Sequence, residues 1–211
     1  QLTDKNSYLP WGFRESNSTT AKLTYTGISN IKINTLYRTS WKSWKNYYHS
    51  WAYIPDQFYQ YKSARQHYNF NLTHTLNSHL FYELRISQYE QDYRKGIWID
   101  STSAWKDSSE YDGYYDYDWN HAVGNGYEFY ARRNPPEYTI SSTKTLDLRW
   151  DGIWQANSWN ELKVGFQFKQ HNLRLLNPWD PGRDLPYRDE YDLTPLETAA
   201  YFQDKIEFPF L

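Results

Sequence analysis

Apolar and polar side chains alternate along much of this chain with a period of two, the spacing of a β-strand whose two faces meet different surroundings. The clearest stretch is Asn160–His171, where Leu162, Val164, Phe166 and Phe168 alternate with Lys163, Gly165, Gln167 and Lys169. His79–Ser87 sets Leu80, Tyr82, Leu84 and Ile86 against Phe81, Glu83, Arg85 and Ser87. In Gln66–Thr75, Tyr68, Phe70 and Leu72 alternate with His67, Asn69, Asn71 and Thr73. In Thr143–Asp151, Leu146, Leu148 and Trp150 alternate with Thr145, Asp147, Arg149 and Asp151. Weaker repeats lie at Thr20–Ile28, Asn30–Trp41 and Leu196–Glu207. Helical periodicity is hard to find, and the pattern predicts about seven strands.

The connections alternate in length. Turn-forming residues at Ser29-Asn30, Asn77-Ser78 and Ala156–Ser158 predict tight hairpins. Between the hairpins lie long segments, Ser43–Ser63, Glu90–Ser142 and Leu176–Thr194. Strands of about ten residues, joined by short and long connections in turn, are the rhythm of an antiparallel transmembrane β-barrel. That fold has short periplasmic turns and long extracellular loops. A soluble sandwich accommodates one such loop more readily than three.

Composition sharpens this picture. The mean hydropathy of -0.97 reads as very soluble, but a barrel is apolar only at alternate positions and its loops are polar. Aromatics make up 20% of the 211 residues, with 22 Tyr and 11 Trp, which suits the girdles of a membrane barrel. In the cluster Trp41–Tyr61, Trp41 and Trp44 are expected to belong to the girdle, and residues beyond Tyr47 to reach a ligand mouth. The absence of Cys fits an oxidising compartment managed without disulfides. A net charge of -2 argues against nucleic acid as a partner. No secretory leader is recognisable at the N-terminus, so any leader lies outside this piece.

The C-terminal third resembles a known family. Lys163, Gly165, Phe168, Lys169 and His171, followed after a loop by Ala199, Ala200, Tyr201, Gln203, Asp204, Lys205, Ile206 and Glu207, look like the middle barrel strands of TonB-dependent outer-membrane receptors. Leu80–Tyr89 is similar to that family more loosely. The resemblance implies a bacterial outer-membrane receptor and transporter with about 22 strands and an N-terminal plug. It implies uptake of a small extracellular ligand (a metal chelate, vitamin, glycan or peptide), energised by TonB through the plug, without covalent chemistry. Residues 1–211 are then expected to be a partial barrel, contacting outer-membrane lipid, with the plug and remaining strands elsewhere.

Signals for chemistry are few. There is no nucleophile elbow, zincin motif or phosphate-cradling glycine loop, so no enzyme and no cofactor is expected. His67 and His171 fall on the polar strand face, as ligand contacts or simply as hydrogen-bonded wall residues. The loop segment Ser109–Asn120 carries Tyr114, Tyr115, Tyr117 and Trp119, whose rings suit stacking on a sugar or cationic ligand, or merely packing loops together. Asp112, Asp116 and Asp118 in the same segment form a weak calcium candidate without the EF-hand arrangement; the plainer reading is solvated loop charge. Two other functional classes stand beside the receptor. A soluble, aromatic-rich β-sandwich that binds polysaccharide would bury Leu162, Val164, Phe166 and Phe168 against a second sheet. A glycoside hydrolase would need facing carboxylates in a cleft, for which Glu83, Asp147 and Asp151 are the strand-borne candidates.

Overall fold

The computed structural model describes residues 12–52, 55, 58–96, 98–99, 104–105, 138–179 and 187–207. They form one large antiparallel sheet and a small two-stranded ladder. The sheet runs β1 (Phe13–Ile28), β2 (Ile31–Lys45), β3 (Gln60–Asn77), β4 (Leu80–Gly96), β7 (Thr139–Gln155), β8 (Asn160–Trp179) and β10 (Leu196–Ile206), in that order. β9 (Tyr187–Leu193) also pairs with β8. The ladder joins β5 (Trp98–Ile99) to β6 (Ala104–Trp105). The strands of the large sheet therefore lie side by side in chain order, and β1 does not pair with β10, so the sheet is open.

All seven expected strands are present, and the first six are longer than the alternation alone indicated. β3 has 18 residues and β7 has 17, well beyond the 5–6 usual in soluble sheets. Their growth is at the loop end, where β4 continues to Gly96 and β7 begins at Thr139. The segment expected as a loop over Leu176–Thr194 is corrected most. β8 runs on to Trp179, and Tyr187–Leu193 is a strand. β9 and β10 meet β8 in one unbroken register, Leu173↔Leu193 and Gln170↔Leu196, so they are a single strand interrupted at Pro195. Pro195 cannot donate to the ladder, but its carbonyl still accepts the His171 amide at 2.9 Å.

Three tight turns sit together at one end. Ser29-Asn30 joins β1 to β2, and Asn30 takes a left-handed backbone (φ 65°) that asparagine tolerates better than most residues. The second turn centres on Ser78-His79, one residue later than expected, with the His79 amide donating to Asn77 Oδ1 at 2.8 Å. In the third, Asn157 Oδ1 accepts the amides of Trp159 and Asn160 at 2.8 and 2.9 Å, the short-range bonding that makes asparagine a turn former. The longer connections, 46–59, 97–138 and 180–186, leave from the opposite end.

Register places side chains on two unlike faces. Ile33, Leu72, Leu84, Trp150, Phe166 and Ala200 form one row, each directly opposite the next. One residue along, the row on the other face reads Asn34, Asn71, Arg85, Arg149, Gln167 and Ala199. A one-residue slip in any strand would exchange these faces, so the alternation itself specifies the register. Among the described residues no second sheet covers the apolar face. Phe166 and Val164 are each 44% exposed and Trp154 is 50% exposed.

Candidate functional site

The apolar face carries a bounded band. In β3 it spans nine residues, Tyr68 to Leu76, and in β7 nine more, Leu146 to Trp154. The same strands continue past it toward the loop end with Gln66, Ala64 and Lys62, or with Lys144 and Ser142, on the same face. Aromatic rings mark both margins. At the loop side Tyr37 and Tyr68 pack with centroids 4.8 Å apart, and the Tyr68 hydroxyl donates to Gln66 Oε1, away from the band, at 3.3 Å. Just beyond them Lys144 Nζ pairs with Glu90 Oε1 across two strands at 2.6 Å. At the turn side stand Trp154 and the exposed Trp159. Asp204, the carboxylate that alternation places on the apolar face, lies opposite Leu162, two residues from the end of β10 at the turn margin.

The polar face is a network. Arg149 holds Asp151 through Nε at 2.7 Å and a second guanidinium nitrogen at 3.1 Å. Tyr201 donates to Asp151 Oδ1 at 2.8 Å. Asp151 lies opposite Gly165, and Gly165 opposite Tyr201, so the tyrosine reaches across an intervening strand. It can do so only because residue 165 has no side chain: a Cβ there would sit 2.1 Å from the Tyr201 ring and 2.8 Å from Asp151 Oδ1. Gln167 Nε2 donates to both oxygens of Asp147 at 3.0 and 3.1 Å.

Glu83, Arg85, Asp147, Arg149, Lys163, Lys169 and Glu197 share this face, as their alternation requires, but only some of their opposite charges face each other across strands. Lys169 stands directly opposite both Asp147 and Glu197. Arg85 instead stands directly opposite Arg149, and Glu83 opposite Asp151. Each arginine is held by the carboxylate two residues along its own strand, Arg85 to Glu83 at 2.7 Å and Arg149 to Asp151. Lys163 does the same with Glu161 at 3.0 Å. Residues i and i+2 share a face, and a long side chain spans the gap between them. His171 gives the one cross-strand approach of this set, with Nε2 3.3 Å from Glu197 Oε1.

Beyond the ends of the apolar band the seventh strand is charged. Glu207 pairs with Lys205, which holds the Glu207 carboxyl below the usual range. At the loop end the Tyr187 hydroxyl donates to Asp189 Oδ1 at 3.0 Å, which pushes the phenol above its ordinary value.

The best-packed side chains belong to a connection. Trp51, Phe58 and Tyr59 are buried together between β2 and β3, with Tyr61 packed against them. The cluster sits over the polar face. Trp44, Tyr61 and Lys95 form one row there, Trp44 stacks on Tyr61 at 5.1 Å, and Lys95 Nζ lies 4.3 Å over the Tyr59 ring. This corrects the expectation that Trp41 and Trp44 both belong to a girdle. Three positions apart in a strand means opposite faces, so Trp41 is exposed on the apolar face and Trp44 is not.

The remaining sequence-derived candidates divide clearly. Tyr114, Tyr115, Tyr117, Trp119, Asp112, Asp116 and Asp118 lie outside the described residues. Among the described residues no three His, Asp or Glu side chains gather to hold a metal. His67 Nε2 lies 3.0 Å from Ser87 Oγ and His171 Nδ1 2.9 Å from Thr145 Oγ1, so both are hydrogen-bonded to neighbouring strands of the sheet. Glu83, Asp147 and Asp151 share one face, each engaged by a neighbouring side chain. The Tyr201–Gly165–Asp151 crossing was not anticipated; its sequence signal is a lone glycine at a polar-face position within a strongly alternating strand. Compared with known proteins, the chain matches no protein-family model, no curated protein and no solved structure.

Proposed function

We propose that this chain is a segment of a bacterial outer-membrane β-barrel that lines a ligand-uptake passage, as in receptors energised through TonB. One observation carries the reading: on β3 and β4 the large apolar residues of one face stop at Tyr68 and Ile86, while the strands run on toward the loop end to Gln60 and Gly96. A soluble sheet ends its strands, or covers them, where its apolar face ends. A barrel strand crossing a bilayer needs about 9–11 residues in contact with lipid and is free to extend into water. Nine residues at about 3.3 Å each span roughly 26 Å along the strand, and tilting that length by about 40° leaves roughly 20 Å of membrane height. The aromatic margins suit the two interfaces, with polar tips turned toward water.

The turns support the same geometry. Ile31, at the first turn, stands opposite His74, yet the second hairpin closes three residues further on at Asn77↔Leu80. Leu80 stands opposite Trp154, and the third hairpin's last pair is Gln155↔Glu161. The line of turns thus slants across the strands, as it must when tilted strands end on one membrane plane. In this reading the polar face is the lumen wall, the open edges β1 and β10 pair with further strands, and the Trp51–Phe58 cluster narrows the outer mouth. The extracellular segment with Tyr114, Tyr115, Tyr117 and Trp119 is then a first contact for ligand. A polysaccharide-binding sandwich would instead have its apolar face buried.

The absence of Cys from this chain makes a direct test available. Phe166→Cys and Gln167→Cys are neighbours on opposite faces and would be introduced singly into the full-length protein folded in lipid vesicles. The thiol at position 166 should react with a lipid-partitioning reagent and resist a membrane-impermeant one, with the reverse preference at position 167. Equal reaction of both with the impermeant reagent would sink the membrane reading.

A further inference from the structure

The cations of the polar face are unevenly distributed. β1, β2 and β3 place Arg14, Lys22, Lys32, Arg38, Lys42 and Arg65 on that face. The single carboxylate of these three strands, Glu15, lies on the opposite face. Among the described residues, acidic partners for the polar face begin only at β4, with Glu83. Following the register, the six cations climb the face from loop end to turn end. Arg14 stands opposite Trp44 at the loop end, Lys42 opposite Ser16, Arg65 opposite Ser40, Arg38 opposite Thr20, Lys22 opposite Leu36, and Lys32 opposite Thr73 near the turns. Among the described residues their contacts are neutral: Arg38 Nε donates to Thr20 Oγ1 at 3.3 Å, and Lys42 Nζ lies 4.4 Å over the Trp44 ring. The chain as a whole carries a net charge of -2, so this patch is a local segregation and does not follow from overall charge.

We infer that β1–β3 form a cationic ladder that guides a soluble multivalent oxyanion, one bearing carboxylate, phosphate or sulfate groups, along the lumen wall. The inference rests on the membrane reading and narrows its ligand class. Uncompensated like charges on one face raise the potential there, and a channel with low-dielectric walls focuses it. Successive cations stand a few residues apart along the strands, so an anion leaving one comes within reach of the next. Neutral or cationic solutes gain nothing from such a wall. The opposite half of the face, where Glu83, Asp147 and Asp151 neutralise their neighbours, supplies hydrogen bonds without net attraction.

The test uses the full-length protein in zwitterionic vesicles, after the labelling at positions 166 and 167 has established whether it is inserted, with pyrophosphate and citrate as probes in titration calorimetry. Both should bind, and binding should weaken steeply as salt rises from about 0.01 M to about 0.15 M. A contact charge in water contributes roughly five-fold in affinity, so the triple variant K22Q/K32Q/R38Q should bind at least about ten-fold more weakly. R94Q/R174Q, which removes two cations from the other face, should bind as the parent does. An inserted protein that binds neither probe, or loses as much affinity in R94Q/R174Q, overturns the ladder and leaves the membrane reading standing. A protein that fails the labelling test loses the membrane reading and the ladder with it.

Discussion

An arginine scan along β8 should trace the depth of the bilayer. Leu162, Val164, Phe166, Phe168, Gln170 and Asn172 all lie on the apolar face, with Phe166 in the central row and Asn172 beyond the loop-side margin. Phe166 is 44% exposed, so roughly half of its side chain is packed against neighbours. Truncation to Ala should therefore cost about 1 kcal/mol, half the usual value for a fully buried apolar side chain. Arg at the same place adds the cost of a charge facing lipid, about 2–4 kcal/mol at mid-depth and about 0–1 near an interface. Phe166→Arg should thus lose about 3–5 kcal/mol, with the penalty falling toward Leu162 on one side and Asn172 on the other. Gln167→Arg, one residue away on the polar face, should stay within about 1 kcal/mol of the parent. Each variant would be measured by reversible denaturant unfolding from lipid vesicles, with Ala at every position to separate lost packing from added charge. A flat profile, or an equal penalty for Phe166→Arg and Gln167→Arg, refutes the reasoning. A soluble sheet with this face half-exposed would accept Phe166→Arg at little more than the cost of Phe166→Ala.

Gly165→Ala should drive the Tyr201 ring off Asp151, because the new Cβ would sit 2.1 Å from it. Losing that hydrogen bond and its packing should cost about 1–2 kcal/mol. In a double-mutant cycle with Tyr201→Ser the two penalties should fall well short of adding, and strict additivity would mean the ring does not depend on the glycine. Phe58→Ala should open the connection between β2 and β3 without unfolding the sheet, because the Trp51–Phe58–Tyr59 cluster is confined to that connection and its margin. Proteolysis within the connection should accelerate at least about ten-fold while the midpoint of global unfolding holds. A matching fall in both would show that the cluster supports the whole sheet.

Alternation was legible wherever the two faces of a strand differ, and silent wherever they do not. Leu162 to Phe168 and Leu80 to Ile86 could be assigned to a face from sequence because one side of each strand is apolar and the other is not. The run YRDEYDL over Tyr187–Leu193 carries no such contrast: charged residues occupy both parities, and all seven are exposed. Periodicity therefore reads it as loop, although it pairs residue by residue with β8. The added lengths of β4 and β7 escaped for the same reason, since Asp92, Tyr93, Arg94 and Lys95 are polar on both sides. In the membrane reading this failure has a physical cause, because those extensions lie outside the lipid-facing band and no longer need an apolar side chain at every second position.

The candidate site was legible to a lesser degree, because alternation assigns a face but does not say who meets whom across it. Lys22, Lys32 and Arg38 are weakly patterned residues in the two least regular strands, and nothing in the linear sequence marks them as neighbours. Only the register, Thr20↔Arg38 beside Lys22↔Leu36 and then Arg38↔His67, stacks them on one face with no carboxylate between. The acidic strands β4 and β7 behave in the opposite way. There, i and i+2 pairing was available from sequence spacing alone, and it joins Arg85 to Glu83 and Arg149 to Asp151. A carboxylate two residues away on the same strand is a fixed neighbour whatever the register, whereas a cross-strand partner depends on it. Local pairing also explains how Arg85 and Arg149 tolerate direct opposition: each brings its own anion, so the row of like charges is compensated by the row beside it. β1–β3 have no such local anions on the polar face. Among the described residues their like charges stay uncompensated, which is the property the proposed passage for anions requires.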